Sequence, residues 1–205
     1  MNPLSTIKGT LISGLLIAIA IALLPIEVIP TISSSESIII WIHVLAGITW
    51  IGLLYYFNFI QVPALAEAAS DEGGPGGAGI TKYVAPKALL WFRWGAVVTW
   101  LSGAAFLLHN GDFLGAFTLG AMGSGGSGSA YQATIGIGAW LGTIMFFNVW
   151  VLIWPNQKKV LGIVEASAEE IAKARKVAGL ASRTNTMLSL PLMMSMIGAH
   201  HQYFV

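Results

Sequence analysis

A chain of 205 residues that is 56% hydrophobic and only 9% charged lies far from a soluble domain, which is about 45–50% apolar and about 25% charged. With a mean hydropathy of +0.75, most of it belongs in lipid, which excludes a disordered protein, a nucleic-acid binder and a cytosolic enzyme. The net charge of +1 carries no partner information, and the absence of cysteine excludes disulfides, thiolate metal sites, iron–sulfur clusters and a covalently attached c-type haem.

A spanning helix needs about 20 mostly apolar residues. Five stretches qualify: 9–29, 37–62, 88–109, 131–154 and 185–203. The expected fold class is therefore all-α, an integral membrane bundle of five transmembrane helices forming a single domain over 1–205. The first stretch has Lys8 before it, as a signal peptide would, but its apolar run is long and no clear A-x-A cleavage site follows. Pro63 and Pro155 mark the expected ends of the second and fourth spans. Five spans place the termini on opposite sides, and the basic residues set the orientation. Lys8 precedes span one. Lys82, Lys87 and Arg93 lie around the start of span three. Lys158, Lys159, Lys173, Arg175, Lys176 and Arg183 lie between spans four and five. All fall on one side, while the opposite loops carry Glu36 and Asp112. The expected location is a bacterial inner membrane, with the N-terminus cytoplasmic and the C-terminus periplasmic.

Between the spans, 67–79 is a Gly/Pro/Ala-rich cytoplasmic turn. Residues 113–129 read as a linker with a Gly/Ser end and an apolar first half that lies on the outer membrane surface. Residues 156–182 place Ile163, Ile171, Val177 and Leu180 among charges and read as an amphipathic cytoplasmic helix, its basic residues solvated near anionic lipid.

The histidines carry the functional signal. His43 lies roughly 8 Å below the outer interface, counting 1.5 Å per residue from the start of span two. His200 lies near the outer end of span five, and His109 closes span three. One helical face carries His43, Gly47 and Trp50, where a glycine beside a ligand histidine gives a flat macrocycle access to the backbone. Span five carries the polar and soft stripe Asn185, Ser189, Met193, Met196 and His200. Ionisable groups inside a membrane are costly and mark function.

Plainer readings compete for several of these residues. His109 is interfacial. His201 points about 100° away from His200 and sits at the lipid–water boundary, although helix rotation near the chain end makes it an alternative ligand. Met187, Met193, Met194 and Met196 serve packing before ligation. Trp41, Trp91, Trp94, Trp150 and Trp154 form interfacial belts. Gly138 and Gly142 form a small-xxx-small packing pair. Arg93 snorkels, or pairs with an acidic group or a propionate inside the bundle.

The segments "WIHVLAGITWIGLLYYFNF" (41–59), "WFRWGAVVTWLSG" (91–103), "GAWLGTIMFFNVWVLIWPNQKKV" (138–160) and "SRTNTMLSLPLMMSMIGAHH" (182–201) occur in that order. Together they resemble the membrane domain of the urate hydroxylase PuuD family, the membrane-bound bacterial urate oxidases. The first is similar, more loosely, to the His-bearing helix of the HemJ and CopD membrane families, associated with haem b and copper. The resemblance implies that His43 and His200 are the family's intramembrane histidines. It implies further spans in the region of 113–129, a C-terminal cytochrome c domain, an acidic residue where Gly95 stands and a histidine near Gly136.

The expected function is a membrane-embedded haem b redox subunit. His43 and His200 ligate the iron, with Gly47, Trp50 and Met196 around the ring, and electrons pass within a larger respiratory or oxidase complex. The expected partners are membrane lipid, other subunits of that complex or an external cytochrome c, with no nucleic acid. The chain is not expected to oxidise urate unaided. The alternatives are a urate-oxidising or other small-molecule oxidase, a copper-handling protein using Met193, Met196 and His200, and a structural subunit that binds nothing.

Overall fold

The computed structural model describes residues 2–22, 35–122 and 128–201, and among them the regular structure is entirely helical. The sequence expectations for 23–29, for the Gly/Ser stretch 123–127 and for 202–203 lie outside the described residues. The chain divides into two compact units, Met1–Ile39 and Ile40–Val205.

In the first unit Asn2 caps a short turn by accepting from the Leu4 N–H at 2.9 Å, and the Thr6 hydroxyl accepts from the Gly9 N–H at 3.0 Å. Helix α1 follows, Ile7–Ala22. Apart from Lys8 and a few small polar residues it is apolar around its whole circumference, which suits a helix covered on every side.

The second unit holds most of α2, which starts at Ser35–Tyr56, then α3 (Ala85–His109), the short α4 (Phe113–Phe117), α5 and α6 (Ala168–His201). Helix α5 begins as Gly128–Phe147. Neither α2 nor α5 stops at its proline. Helix α2 widens into a π-helical turn at Phe57–Gln61 and runs on as Val62–Ser70. Helix α5 does the same at Asn148–Ile153 and continues as Trp154–Val160. A third such turn, Ile80–Val84, leads into α3. Pro63, Pro86 and Pro155 each stand two residues past one of these turns. A proline in a regular helix removes an N–H and collides with the carbonyl four residues back. In a π-helical turn the hydrogen bonds reach five residues instead of four, so that carbonyl is already displaced. The proline therefore marks a widening of the helix and not its end.

Helices Ser35–Ser70 and Ala130–Val160 are long and apolar enough to cross a membrane. In α3, Arg93 and the tryptophans lower the mean hydropathy, and in α6 the polar residues from Asn185 to Ser195 do the same.

The expected split between an amphipathic segment 156–182 and a separate last span gives way to one 34-residue helix, α6. It is roughly 50 Å long at 1.5 Å per residue, against a hydrocarbon core of about 30 Å. Its start is set by a reciprocal cap. The Glu170 N–H donates to the Ser167 hydroxyl at 3.2 Å, and the Ser167 N–H donates to the Glu170 carboxylate at 2.9 Å. That backbone N–H first, and then Lys159 at 3.4 Å, hold the Glu170 carboxyl below the usual carboxylate range. The cap is therefore intact above the ordinary carboxylate pKa and is lost as pH falls through the lowered one.

The core joins α2, α3, α5 and α6 through Trp50, Leu54, Phe92, Met145, Val149 and Ala181, with Phe57 edge-on to Phe92 at 5.5 Å. Polar side chains tie the helices together where water is excluded. The Asn148 amide donates to Asn185, which donates to the Met145 carbonyl, at 2.8 and 3.0 Å. Tyr55 meets the Ser189 hydroxyl at 2.9 Å, and Asn58 donates to the Ser182 hydroxyl at 2.8 Å. Close approach of α5 and α6 follows from Gly138, whose missing β-carbon would meet Met196 Cε at 2.8 Å, whereas at Gly142 a β-carbon would make only an ordinary contact with Leu192 Cδ1 at 3.5 Å.

One expectation for the region after α3, the placing of Asp112, is corrected. Helix α3 ends with Gly111 at φ 74°. The Asp112 N–H then reaches back to the Leu107 carbonyl at 2.8 Å and the Gly111 N–H to Leu108 at 3.2 Å, a glycine-closed helix end. This turns the chain inward. Asp112, expected in an exposed loop, is fully buried, and its carboxyl accepts from the Gln132 amide at 2.8 Å. The apolar half of 113–129, expected on the membrane surface, forms α4 with Gly115 and Ala116 buried. Gly115, with Gly136 on α5, lets it lie directly against α5.

Candidate functional site

Helices α2, α3, α5 and α6 surround a cavity of about 770 Å³, within the range of about 300–1,000 Å³ that holds small molecules and cofactors. His43, Gly47, Trp50, Met196 and His200, the residues singled out from sequence, all line it, and so do His201 and Met193. The stripe on α6 divides by role. Asn185 and Ser189 are fully buried and bonded to α5 and α2, whereas Met193, Met196 and His200 face the cavity. Met187 and Met194 are exposed.

His43 is held by α3. Its Nδ1 lies 2.8 Å from the Thr99 carbonyl oxygen. A carbonyl only accepts, so Nδ1 carries the proton and donates, which fixes the tautomer and leaves the Nε2 lone pair free. The Ser102 hydroxyl lies 3.2 Å from the same nitrogen and donates to the Val98 carbonyl at 2.6 Å. Gly103 supplies the space, because a β-carbon there would sit 2.9 Å from His43 Cε1. Gly47 has a smaller part than its place beside His43 suggests: its missing β-carbon would touch only Thr99 Cγ2, at 3.8 Å. The glycine that relieves the imidazole is on the neighbouring helix.

His200 lies in the last turn of α6, its ring centroid 5.8 Å from Phe106 and 6.4 Å from Tyr131. Trp50 is buried, and its indole N–H has no partner among the described residues. His109 is exposed at the end of α3 and is not among the cavity residues. Among the described residues no three His, Cys, Asp or Glu side chains come together as a metal-holding group.

Arg93 takes neither an acidic partner nor a purely extended course. Its guanidinium lies over Trp154, 3.3 Å from the ring centroid, and 6.0 Å from that of Trp150. Sequence reasoning missed Thr99, Ser102 and Gly103. The signal for them was a threonine, a serine and a glycine inside an apolar helix, which composition alone cannot tell from ordinary small residues at a helix contact. Gly95 and Gly136, where the resemblance implies an acid and a histidine, are packing positions. A β-carbon on Gly95 would lie 3.3 Å from the Trp50 backbone nitrogen, and one on Gly136 would land on the Ala116 carbonyl.

No curated protein and no solved structure matches the chain. The sequence model of the urate oxidase N-terminal family matches residues 31–116 and 117–205, and the two stretches meet in α4, where the resemblance implies further spans in other members. With both the His43 and the His200 helices inside that match, the chain belongs to the urate oxidase N-terminal family.

Proposed function

We propose that the chain is a membrane-embedded redox subunit that holds one haem b between His43 and His200. The observation that carries this reading is the donor set at His43: Nδ1 is committed to the Thr99 carbonyl, which leaves Nε2 as the lone-pair nitrogen, and His200 lines the same cavity. Ligating histidines commonly donate their other N–H to a carbonyl in this way, which fixes the ring and raises its basicity. The residues fit the group. The cavity is apolar and large, Gly103 leaves the imidazole its place, and the orphaned Trp50 N–H is a buried donor in want of an acceptor. His43 and His200 would hold the group, which when bound would supply a one-electron iron couple suited to electron transfer. The chain orients the imidazoles, keeps water out with Trp50, Phe106 and Met196, and leaves exchange of electrons to another subunit or an external cytochrome c. A reduced-minus-oxidised absorption spectrum of the purified chain tests this, and the lack of a b-type haem band in protein isolated from haem-replete cells overturns it.

A second reading is copper binding, favoured by Met193 and Met196 beside His200 on the cavity wall. Metal analysis of the same sample separates the two. Unaided urate oxidation is not part of the proposal, because the positions of Gly95 and Gly136 are filled by backbone contacts that leave no space for an acid and a histidine.

The topology that goes with this reading is five spans in a bacterial inner membrane, N-terminus cytoplasmic and C-terminus periplasmic. Its support is the placement of all ten Lys and Arg on one side. Cysteines introduced at Ala121 and Lys173 are expected to react from opposite sides with a reagent that cannot cross the membrane, Ala121→Cys from outside. Labelling of both from one side contradicts the topology.

A further inference from the structure

We infer that Arg93 and Lys158 bind the phosphate of an anionic phospholipid at the end of the α3–α5 pair away from the histidines. Arg93 lies ten residues before Gly103, the glycine under His43, which is roughly 15 Å along α3 at 1.5 Å per residue. Its guanidinium stacks on Trp154 at 3.3 Å, and the Lys158 ammonium lies 5.9 Å from the centroid of the same ring. One indole therefore gathers two cations. Among the described residues neither has an acidic partner. Lys159, next along the chain, is the lysine that meets Glu170.

Stacking uses the face of the guanidinium and leaves its edge. Those N–H groups lie in the plane, in a fork that matches two oxygens of a phosphate. The Arg93 Nε is buried without a hydrogen-bond acceptor. In a membrane an unsatisfied donor costs several kcal/mol. The surroundings also suit a lipid better than a free ion. Trp94 stands edge-on to Trp150 at 5.9 Å. Trp91, Trp94, Phe147 and Val151 are exposed on the same helices, offering apolar surface to acyl chains, with tryptophans at the depth where interfacial rings settle. Basic pockets between helices are a known way of holding anionic headgroups.

This inference rests on the membrane reading above, and the experiment separates the two. The full chain is reconstituted into nanodiscs of phosphatidylcholine with and without phosphatidylglycerol, then released for native mass spectrometry. The expected result is phosphatidylglycerol retained on the chain at least about tenfold more than phosphatidylcholine, with inorganic phosphate at millimolar concentration failing to displace it. Arg93→Gln should remove that selectivity, and Lys158→Gln, at a partly exposed site that the fold does not depend on, should reduce it severalfold. Arg93→Lys should restore part of it. Equal retention of both lipids by the native chain, unchanged selectivity in Lys158→Gln, or displacement by inorganic phosphate each overturns the lipid site. A chain that does not insert into nanodiscs at all overturns the membrane reading as well.

Discussion

Replacing either His43 or His200 by alanine is expected to abolish the low-spin haem spectrum of the purified chain, while His109→Ala leaves it unchanged. The contrast follows from the cavity, which His43 and His200 line and His109 does not. Loss of either imidazole would remove one of the two side chains that hold the group, and a fall of at least tenfold in haem per protein corresponds to about 1.4 kcal/mol of binding. The fold does not hang on the His43 side chain. The Thr99 carbonyl that it meets lies inside α3, where the helix supplies its own backbone donor, so His43→Ala orphans no buried acceptor. Ser102→Ala should fall between the native chain and His43→Ala, because it removes only the second contact to Nδ1; groups that support a ligand in this way are typically worth 10–100-fold in metal affinity. Full haem occupancy in His43→Ala would remove the basis of the proposed site. Retention in His200→Ala but not in a His201 variant would move the second ligand by one residue.

Gly136→Ala should lower the unfolding temperature by several degrees in detergent, whereas Gly142→Ala should leave it nearly unchanged. Both glycines are on α5 and both look alike in sequence. A β-carbon at Gly136 would land on the Ala116 carbonyl oxygen and 2.9 Å from its carbon, both backbone atoms of α4. Backbone cannot rotate aside, so α4 must shift. Overpacking of this kind costs about 1–3 kcal/mol, and for a chain of this size each kcal/mol moves the melting temperature by about 2–4 °C. At Gly142 the nearest atom is a leucine methyl at 3.5 Å, an ordinary contact, and alanine is the better helix former. Equal melting temperatures for Gly136→Ala and the native chain would show that α4 does not rest on α5. The same crowding leaves no space for a histidine ring at this position until α4 moves.

The helical class, the long apolar segments and several of the residues that line the cavity were legible in the sequence by itself. These rest on composition and on a period of 3.6 residues, both of which are local. His43, Gly47, Trp50, Met196 and His200 were legible because a histidine in an apolar run is costly wherever it sits, and helical periodicity names its neighbours on the same face. Gly138 and Gly142 were legible as a packing pair for the same reason. The helix ends were not. Pro63 and Pro155 read as stops, since the rule against an internal proline assumes a regular hydrogen-bond ladder, and only the π-helical turns before them relax it. The inward turn at Gly111 and the burial of Asp112 were also beyond reach, because a carboxyl after Asn-Gly looks like any exposed loop until Gln132 on another helix is placed beside it. Tertiary structure alone decided what holds His43. Thr99, Ser102 and Gly103 lie more than fifty residues away in the chain, and their role comes from the crossing of α2 and α3. Arg93 was likewise conspicuous in the sequence, but its partner was settled by the packing of α3 against α5, which lays the guanidinium on Trp154. A charge announces its own cost through its chemistry, whereas the group that offsets that cost is chosen by the fold.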